Sequence, residues 1–88
     1  MKRKHKRKLI FDAAGLAAFG TLLKKLRAEA GLTQAQLAFE AGISLSQIAR
    51  IETARINPTL STVFAISRAL EVPLSLMFDF DLTESKRT

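Results

Sequence analysis

The stretch TQAQLAFEAGISLSQIARI, residues 33–51, decides the fold of this chain. Thr33 and Gln36 form a T-x-x-Q capping box, which predicts that a helix begins at Gln34. Gly42 follows this helix, and glycine adopts the left-handed backbone that ends a helix without the steric cost of a Cβ atom. The first half of the stretch is therefore expected to be a short helix that ends in a tight turn.

The second half of the stretch repeats the same signals. Ser44 and Gln47 form an S-x-x-Q capping box, which predicts a second helix that begins at Leu45. Ile48 and Ile51 share one face of that helix and are expected to pack against the first helix. Two helices joined in this way form a helix-turn-helix, with axes that cross at roughly 90–120°.

This pattern resembles the phage-repressor family of helix-turn-helix DNA-binding proteins, which includes lambda Cro and repressor and is also called XRE-type. Upstream, LKKLRAEAGLTQ (Leu23–Gln34) is similar to the first helix of that family running into the second. Downstream, RIETARINPTLSTVFAISRALEVPLSLMF (Arg50–Phe78) is similar to the end of its third helix, a loop, a fourth helix and a short fifth helix. The resemblance covers residues 16–78 and implies an all-α fold of five helices.

The positive charge of the chain is concentrated at its N-terminus. The formal net charge is +6, while the eight Lys and Arg residues beyond position 8 are matched by eight Asp and Glu. We expect residues 1–11 to form a flexible basic arm that is kept disordered by self-repulsion and attracts phosphate. A solubilising tail and an anionic membrane surface remain alternative roles for the arm. Its basic residues are Lys2, Arg3, Lys4, Lys6, Arg7 and Lys8.

The helix-turn-helix domain is expected to span residues 12–78, and residues 79–88 are expected to form a polar C-terminal tail. Asp12 is a suitable N-cap for the first helix. Gly15 and Gly20 lie inside this helix, where each is expected to weaken it by roughly 1 kcal/mol.

The fourth helix should begin after Thr59, and Pro73 suits the first turn of the short fifth helix. Ala54 and Glu71 occupy positions where the resembled family often has glycine. Either the backbone is left-handed there, at some strain, or the helix ends shift by a residue. The inner face of the fourth helix is expected to comprise Leu60, Val63, Phe64, Ser67 and Leu70.

The second helix of a helix-turn-helix enters the major groove and presents its N-terminal side chains to base edges. Arg50 suits a bidentate contact with guanine, or else a phosphate, and Leu45 suits a thymine methyl group. Gln47 suits adenine, although its capping role competes, and for Ser44 capping is the expected role. The candidate base-reading residues are Ser44, Leu45, Ser46, Gln47 and Arg50.

Phosphate contacts are expected from the edges of the domain. Gln34 lies at the start of the first helix of the motif, where backbone N–H groups favour an anion, and the resemblance implies the same role. Arg55 and Asn57 in the loop and Thr59 at the start of the fourth helix are the other candidates. Arg55 has the alternative of being a solvated loop charge.

The resemblance also implies an ion pair between Arg27 and Glu52, which would tie the first helix to the end of the third. This pair is expected to be partly buried and structural, without contact to DNA. The alternative is two independent surface charges.

No catalytic, cofactor or metal site is expected. His5 is the only histidine and lies in the arm, and the sequence contains no acid pair, nucleophile with a base, or phosphate-binding glycine loop. The chain has no cysteine, which fits the reducing cytoplasm. No apolar run approaches the ~20 residues of a membrane span.

The expected function is sequence-specific regulation of transcription by a homodimer on a palindromic double-stranded DNA operator, because one domain reaches only a half-site. Met77, Phe78 and Phe80 are expected in the two-fold interface, since a small monomer does not easily bury them all. The alternative is a protein-interaction module, an antitoxin or adaptor that binds a toxin or other protein through Leu76, Phe80 and Leu82. Small repressors, restriction-modification controller proteins and antitoxin subunits all share this fold and size.

Overall fold

The computed structural model of this chain describes residues 10–83, and within that range it contains five helices and no strand. The all-α, five-helix fold is confirmed. The six basic residues of the predicted arm and the last five residues of the predicted tail lie outside the described residues. Within residues 10–83, no helix combines the length and the apolar character needed to cross a bilayer. The helices are α1 (Ala13–Glu29), α2 (Gln34–Ala41), α3 (Leu45–Glu52), α4 (Leu60–Leu70) and α5 (Leu74–Met77).

The helices begin where the capping residues predict. Asp12 accepts a hydrogen bond from the Gly15 backbone N–H at 2.9 Å, and Thr59 accepts one from the Thr62 N–H at 3.2 Å. Both capping boxes of the helix-turn-helix are complete, so α2 and α3 have satisfied N-termini. Pro73 opens α5 without a side-chain cap.

Each of the four connections between helices contains a left-handed residue, at Gly31, Gly42, Ala54 and Glu71. Gly42 has a φ of 73° at the turn between α2 and α3, where glycine carries no steric cost. Ala54 and Glu71 have φ values of 59° and 58°, so the left-handed alternative applies at both positions. Each stores strain of roughly 1–2 kcal/mol, because its Cβ atom crowds the following carbonyl oxygen.

One hydrophobic core joins all five helices. α2 packs against α3 and α4, and α1 crosses α3. The expected inner face of α4 was wrong at Leu60 and Phe64, which are 66% and 38% exposed, and Ile66 is fully buried in their place. The core residues are Phe19, Leu23, Leu26, Leu37, Ala38, Ile48, Ile51, Val63, Ile66, Leu70 and Met77.

Gly20 marks the point of closest approach between α1 and α3. A Cβ atom placed there would lie 2.5 Å from the carbonyl oxygen of Ile51 and 2.9 Å from that of Glu52. The missing side chain therefore allows the backbone at the end of α3 to lie directly on α1. This contact fixes the depth at which α3 sits on the domain.

Candidate nucleic-acid interface

α3 has one buried face and one face open to solvent. Ile48 and Ile51 lie in the core, at 0% and 2% exposure. Leu45, Ser46 and Arg50 are exposed on the other side, and Leu45 retains half of its accessible surface. The structure therefore brings these three candidate base-reading residues together on one outward surface.

The other two candidates, Ser44 and Gln47, are occupied with each other. Ser44 Oγ accepts a hydrogen bond from the Gln47 backbone N–H at 3.1 Å, and Gln47 Oε1 accepts one from the Ser44 backbone N–H at 3.2 Å. The capping role expected for Ser44 is thus present. Gln47 is half-buried, and Nε2 is the part of its carboxamide that the capping box does not use.

Three of the four candidate phosphate residues make side-chain hydrogen bonds within the domain, and two of these three, Asn57 and Thr59, lie near the α3–α4 loop. Asn57 Nδ2 donates to the carbonyl oxygen of Ile10 at 3.3 Å, which ties the start of the described chain to the loop. Thr59 Oγ1 caps α4 through the N–H of Thr62. Arg55 is exposed, and its backbone N–H donates to the Arg50 carbonyl oxygen at 2.7 Å.

Gln34 is half-buried at the start of α2, and its side chain is also engaged. Its Nε2 atom donates to Glu52 Oε1 at 2.9 Å, across the helix-turn-helix. Sequence reasoning missed this contact because 18 residues separate the two positions and no local pattern links them.

Arg27 and Glu52 form the ion pair that the resemblance implies. Arg27 Nε donates to Glu52 Oε2 at 2.5 Å and Nη2 donates to Oε1 at 3.0 Å, so the guanidinium makes two hydrogen bonds with the carboxylate. Arg27 Nη1 also donates to the Leu32 carbonyl oxygen at 2.8 Å. The side chains are 13% and 2% exposed, respectively. This network joins α1, the loop before α2, and α3.

The hydrogen bond to Glu52 raises the pKa of Arg27 above its ordinary value. Partial burial of the guanidinium acts in the opposite direction, and the negative charge of Glu52 adds to the increase in pKa. Arg27 therefore carries its charge at any physiological pH, and Glu52 neutralises that charge locally.

The described part of the chain carries little net charge. Residues 10–83 contain six Lys and Arg and seven Asp and Glu. Since Arg27 is paired with Glu52, Arg50 and Arg55 are the basic side chains on or next to the exposed face of α3. Within residues 10–83, no group of three or more His, Cys, Asp or Glu side chains lies close enough together to hold a metal ion.

The predicted dimer residues occupy different environments. Met77 is 1% exposed and belongs to the core, so it offers almost no surface for the predicted two-fold interface. Phe78 is 44% exposed, with its ring centroid 5.2 Å from that of Phe19 and 6.3 Å from that of Phe80. Phe80 packs against the core, so the second residue of the segment expected to be a polar tail is an apolar residue in contact with the domain.

An open apolar groove of about 350 Å³ lies beside these rings, where α1 and α4 begin and the C-terminal segment returns. It will be called the terminal groove. Its lining includes Leu16, Pro58, Leu60, Phe78, Phe80 and Leu82.

The α2–turn–α3 unit, with a buried inner face and an exposed outer row, defines a helix-turn-helix domain. A helix-turn-helix family model matches residues 23–77 of the chain. The chain belongs to the phage-repressor-like, XRE-type helix-turn-helix family.

Two relatives of known class share this domain. The chain is 46% identical over 56 residues to the immunity repressor protein of Bacillus phage phi105, and this match covers 64% of this chain and 39% of the repressor. It is 38% identical over 61 residues to the transcriptional regulator SutR of Escherichia coli K12, and this match covers 68% of this chain and 34% of SutR. The chain thus spans well under half the length of these two relatives.

Solved structures of restriction-modification controller proteins match most of their own length. C.AhdI from Aeromonas hydrophila superimposes with a TM-score of 0.73 at 32% identity, covering 74% of this chain and 98% of C.AhdI. The C.Esp1396I tetramer in complex with its natural 35 base-pair operator gives a TM-score of 0.71 at 29% identity, covering 77% of this chain and 90% of that protein.

Proposed function

We propose that this chain is a cytoplasmic, sequence-specific DNA-binding regulator of transcription that acts as a homodimer on a palindromic operator. The observation that carries the proposal is the outer face of α3, where Leu45, Ser46 and Arg50 stand exposed above a buried inner face. The fold supports it, because a solved relative with this fold binds its operator as a tetramer.

In this proposal the exposed row of α3 reads base edges in the major groove. Arg50 donates to guanine, Leu45 packs against a thymine methyl group, and Ser46 contacts a neighbouring base. Gln47 contributes through Nε2, while its oxygen remains in the capping box. Ser44 acts mainly by holding the N-terminus of α3 in shape.

Phosphate contacts flank this reading surface. Gln34 and Arg55 are the principal donors, with the N-terminus of α4 at Thr59 on the far side of the loop. Asn57 contributes through its hydrogen bond to the Ile10 carbonyl oxygen, which holds the C-terminal end of the basic arm against the loop. The near-neutral charge of residues 10–83 leaves most of the nonspecific attraction to the arm.

The test of base reading is the selection of duplexes from a randomised pool, followed by affinity measurements on the selected site and its single-base-pair variants. Arg50→Ala should cost roughly 1–3 kcal/mol on the selected site and relax discrimination at one base pair. Arg68→Ala is the matched control, because Arg68 is also an exposed arginine and lies on α4, outside the helix-turn-helix. If Arg50→Ala weakens all sequences equally, Arg50 binds phosphate and specificity lies in Leu45, Ser46 and Gln47.

A homodimer follows from the half-site reach of one domain, and the terminal groove is the surface proposed for it. Phe78 and Phe80 form a continuous apolar wall there, and Leu82 extends it at 52% exposure. Contiguous apolar surface of this kind marks an interaction site on a small soluble domain. A two-fold axis through the groove would cover it with its own copy.

Sedimentation equilibrium at high micromolar concentration tests the dimer. The wild-type chain should have about twice its monomer mass of 9.7 kDa, and Phe80→Ser should shift it towards the monomer. Phe39→Ser is the control, because Phe39 is 83% exposed on α2, away from the groove. A wild-type monomer, both free and on DNA, would contradict the dimer. Stable mixed complexes with another protein would favour the antitoxin or adaptor alternative.

A further inference from the structure

We propose that Glu52 positions the side chain of Gln34 to donate a hydrogen bond to a DNA phosphate, an inference that rests on the DNA-binding function proposed above. Gln34 is the first residue of α2, and Glu52 is the last residue of α3. The 2.9 Å bond from Gln34 Nε2 to Glu52 Oε1 connects these two helix ends.

The carboxylate determines which way the Gln34 carboxamide faces. An ionised carboxylate only accepts hydrogen bonds, whereas a carboxamide has a donor end and an acceptor end. Turning the carboxamide over would bring its oxygen against the oxygen of Glu52. The nitrogen is therefore held towards Glu52, one of its two N–H groups is used, and the other is left for an outside acceptor. Phosphate oxygens are acceptors only, so the orientation matches that ligand.

The Glu52 carboxylate is itself buried and hydrogen-bonded. The Glu52 side chain is 2% exposed, and it accepts two further hydrogen bonds from Arg27. A glutamine held by such an anchor has already lost much of the rotamer freedom that binding would otherwise remove. The first backbone N–H groups of α2, at Gln34 and Ala35, have no intrahelical acceptor and flank the same position. One phosphate would thus accept from the backbone and from the positioned side chain.

The experiment measures the affinity of the protein for its selected duplex with a single neutral methylphosphonate at each phosphate in turn. In the wild-type protein, neutralising the phosphate near Gln34 should weaken binding roughly fivefold or more. In Gln34→Leu, neutralising that phosphate should have little further effect, and the effect of every other phosphate should be unchanged.

The decisive variant combines Arg27→Met with Glu52→Leu. It removes the acceptor of Gln34 while replacing a buried ion pair with apolar side chains of similar size, a change that proteins often tolerate without loss of stability. The phosphate near Gln34 should lose its effect in this variant as it does in Gln34→Leu. Arg27→Lys is the control, since it weakens the ion pair but leaves the Glu52 acceptor in place and should keep the wild-type phosphate profile.

A folded double variant with the wild-type phosphate profile would overturn the inference, because Glu52 would then act on folding alone. A wild-type profile for Gln34→Leu would overturn it as well. The nuclear magnetic relaxation of the Gln34 side-chain amide in the wild-type protein gives an independent readout that needs no variant. An order parameter near that of rigid backbone, about 0.85, is expected, and one below about 0.6 would refute a fixed orientation. Failure of the wild-type protein to select any duplex would instead refute the proposed function.

Discussion

Replacement of Gly20 by alanine should destabilise the domain, although alanine is the better helix former. The helix propensity of alanine favours the variant by about 1 kcal/mol. The added Cβ atom, however, would lie 2.5 Å from the Ile51 carbonyl oxygen, where an ordinary contact is 3.4 Å or more. α1 and α3 would have to separate by about 0.9 Å, the difference between these two distances.

The size of the effect follows from what Gly20 meets. Overpacking in a well-packed core costs roughly 1–3 kcal/mol, and the upper end applies because the opposing atoms are backbone atoms of α3 and cannot rotate away. After the gain in helix propensity, the expected loss is about 2 kcal/mol. For a domain of this size that corresponds to a decrease in melting temperature of roughly 8–16 °C.

Thermal unfolding monitored by circular dichroism is the assay, and Gly15→Ala is the matched control in the same helix. A Cβ atom at Gly15 meets only the side chain of the capping Asp12, at 3.2 Å and beyond. Gly15→Ala should therefore be neutral or should stabilise the domain by up to about 1 kcal/mol. If Gly20→Ala melts at or above the temperature of Gly15→Ala, the close contact between α1 and α3 does not have the energetic weight assigned to it.

Two further predictions concern strain and charge. Ala54→Gly and Glu71→Gly should each raise the free energy of unfolding by about 0.5–1 kcal/mol, because the relief of left-handed strain exceeds the entropic cost of glycine. Urea titration measures this change, and an unchanged or lower urea midpoint of unfolding would show that the replaced residue is not strained. Deletion of residues 1–8 should weaken binding to all duplexes similarly and flatten the salt dependence, each lost phosphate contact removing about 0.9 from the slope of log K against log[salt]. Lys24→Gln, on the exposed side of α1, should leave that slope unchanged, and an unchanged slope after the deletion would mean that the arm does not contact DNA.

Local signals predicted the helix starts well. A capping box involves residues three apart, so the sequence alone contains the whole hydrogen-bonded unit, and both boxes of the motif form. The left-handed backbone at Ala54 and Glu71 was anticipated only as one of two options, because neither residue prefers it and tertiary packing imposes it. The inner face of α4 was less predictable. Leu60 and Phe64 are apolar and correctly spaced, but Leu60 lines the terminal groove and Phe64 is partly exposed to solvent.

The contacts that the sequence did not reveal join residues far apart in the chain. Gly20 was expected only to weaken α1, because its partner, the backbone of Ile51 and Glu52, contributes no side-chain pattern. The bond between Gln34 and Glu52 is equally invisible, since each residue alone is an ordinary polar residue at a helix end. The burial of Met77 depends on how the short α5 folds back onto α1, which helical periodicity over four residues does not determine.

These long-range contacts converge on α3 and show how its position is determined. The three residues that connect α2 and α3, 42–44, set the angle between these helices and do not by themselves determine the depth at which α3 lies on the domain. Two contacts from α1 constrain this depth: the close approach of Gly20 to the α3 backbone, and the hydrogen-bonded ion pair between Arg27 and Glu52. Because Glu52 also holds Gln34, a displacement of α3 from α1 would move the exposed base-reading row and the phosphate donor together. Changes in α1 that displace α3 should therefore disturb base reading and the Gln34 phosphate contact together, whereas changes on the outer face of α3 should disturb base reading and leave the Gln34 phosphate contact in place.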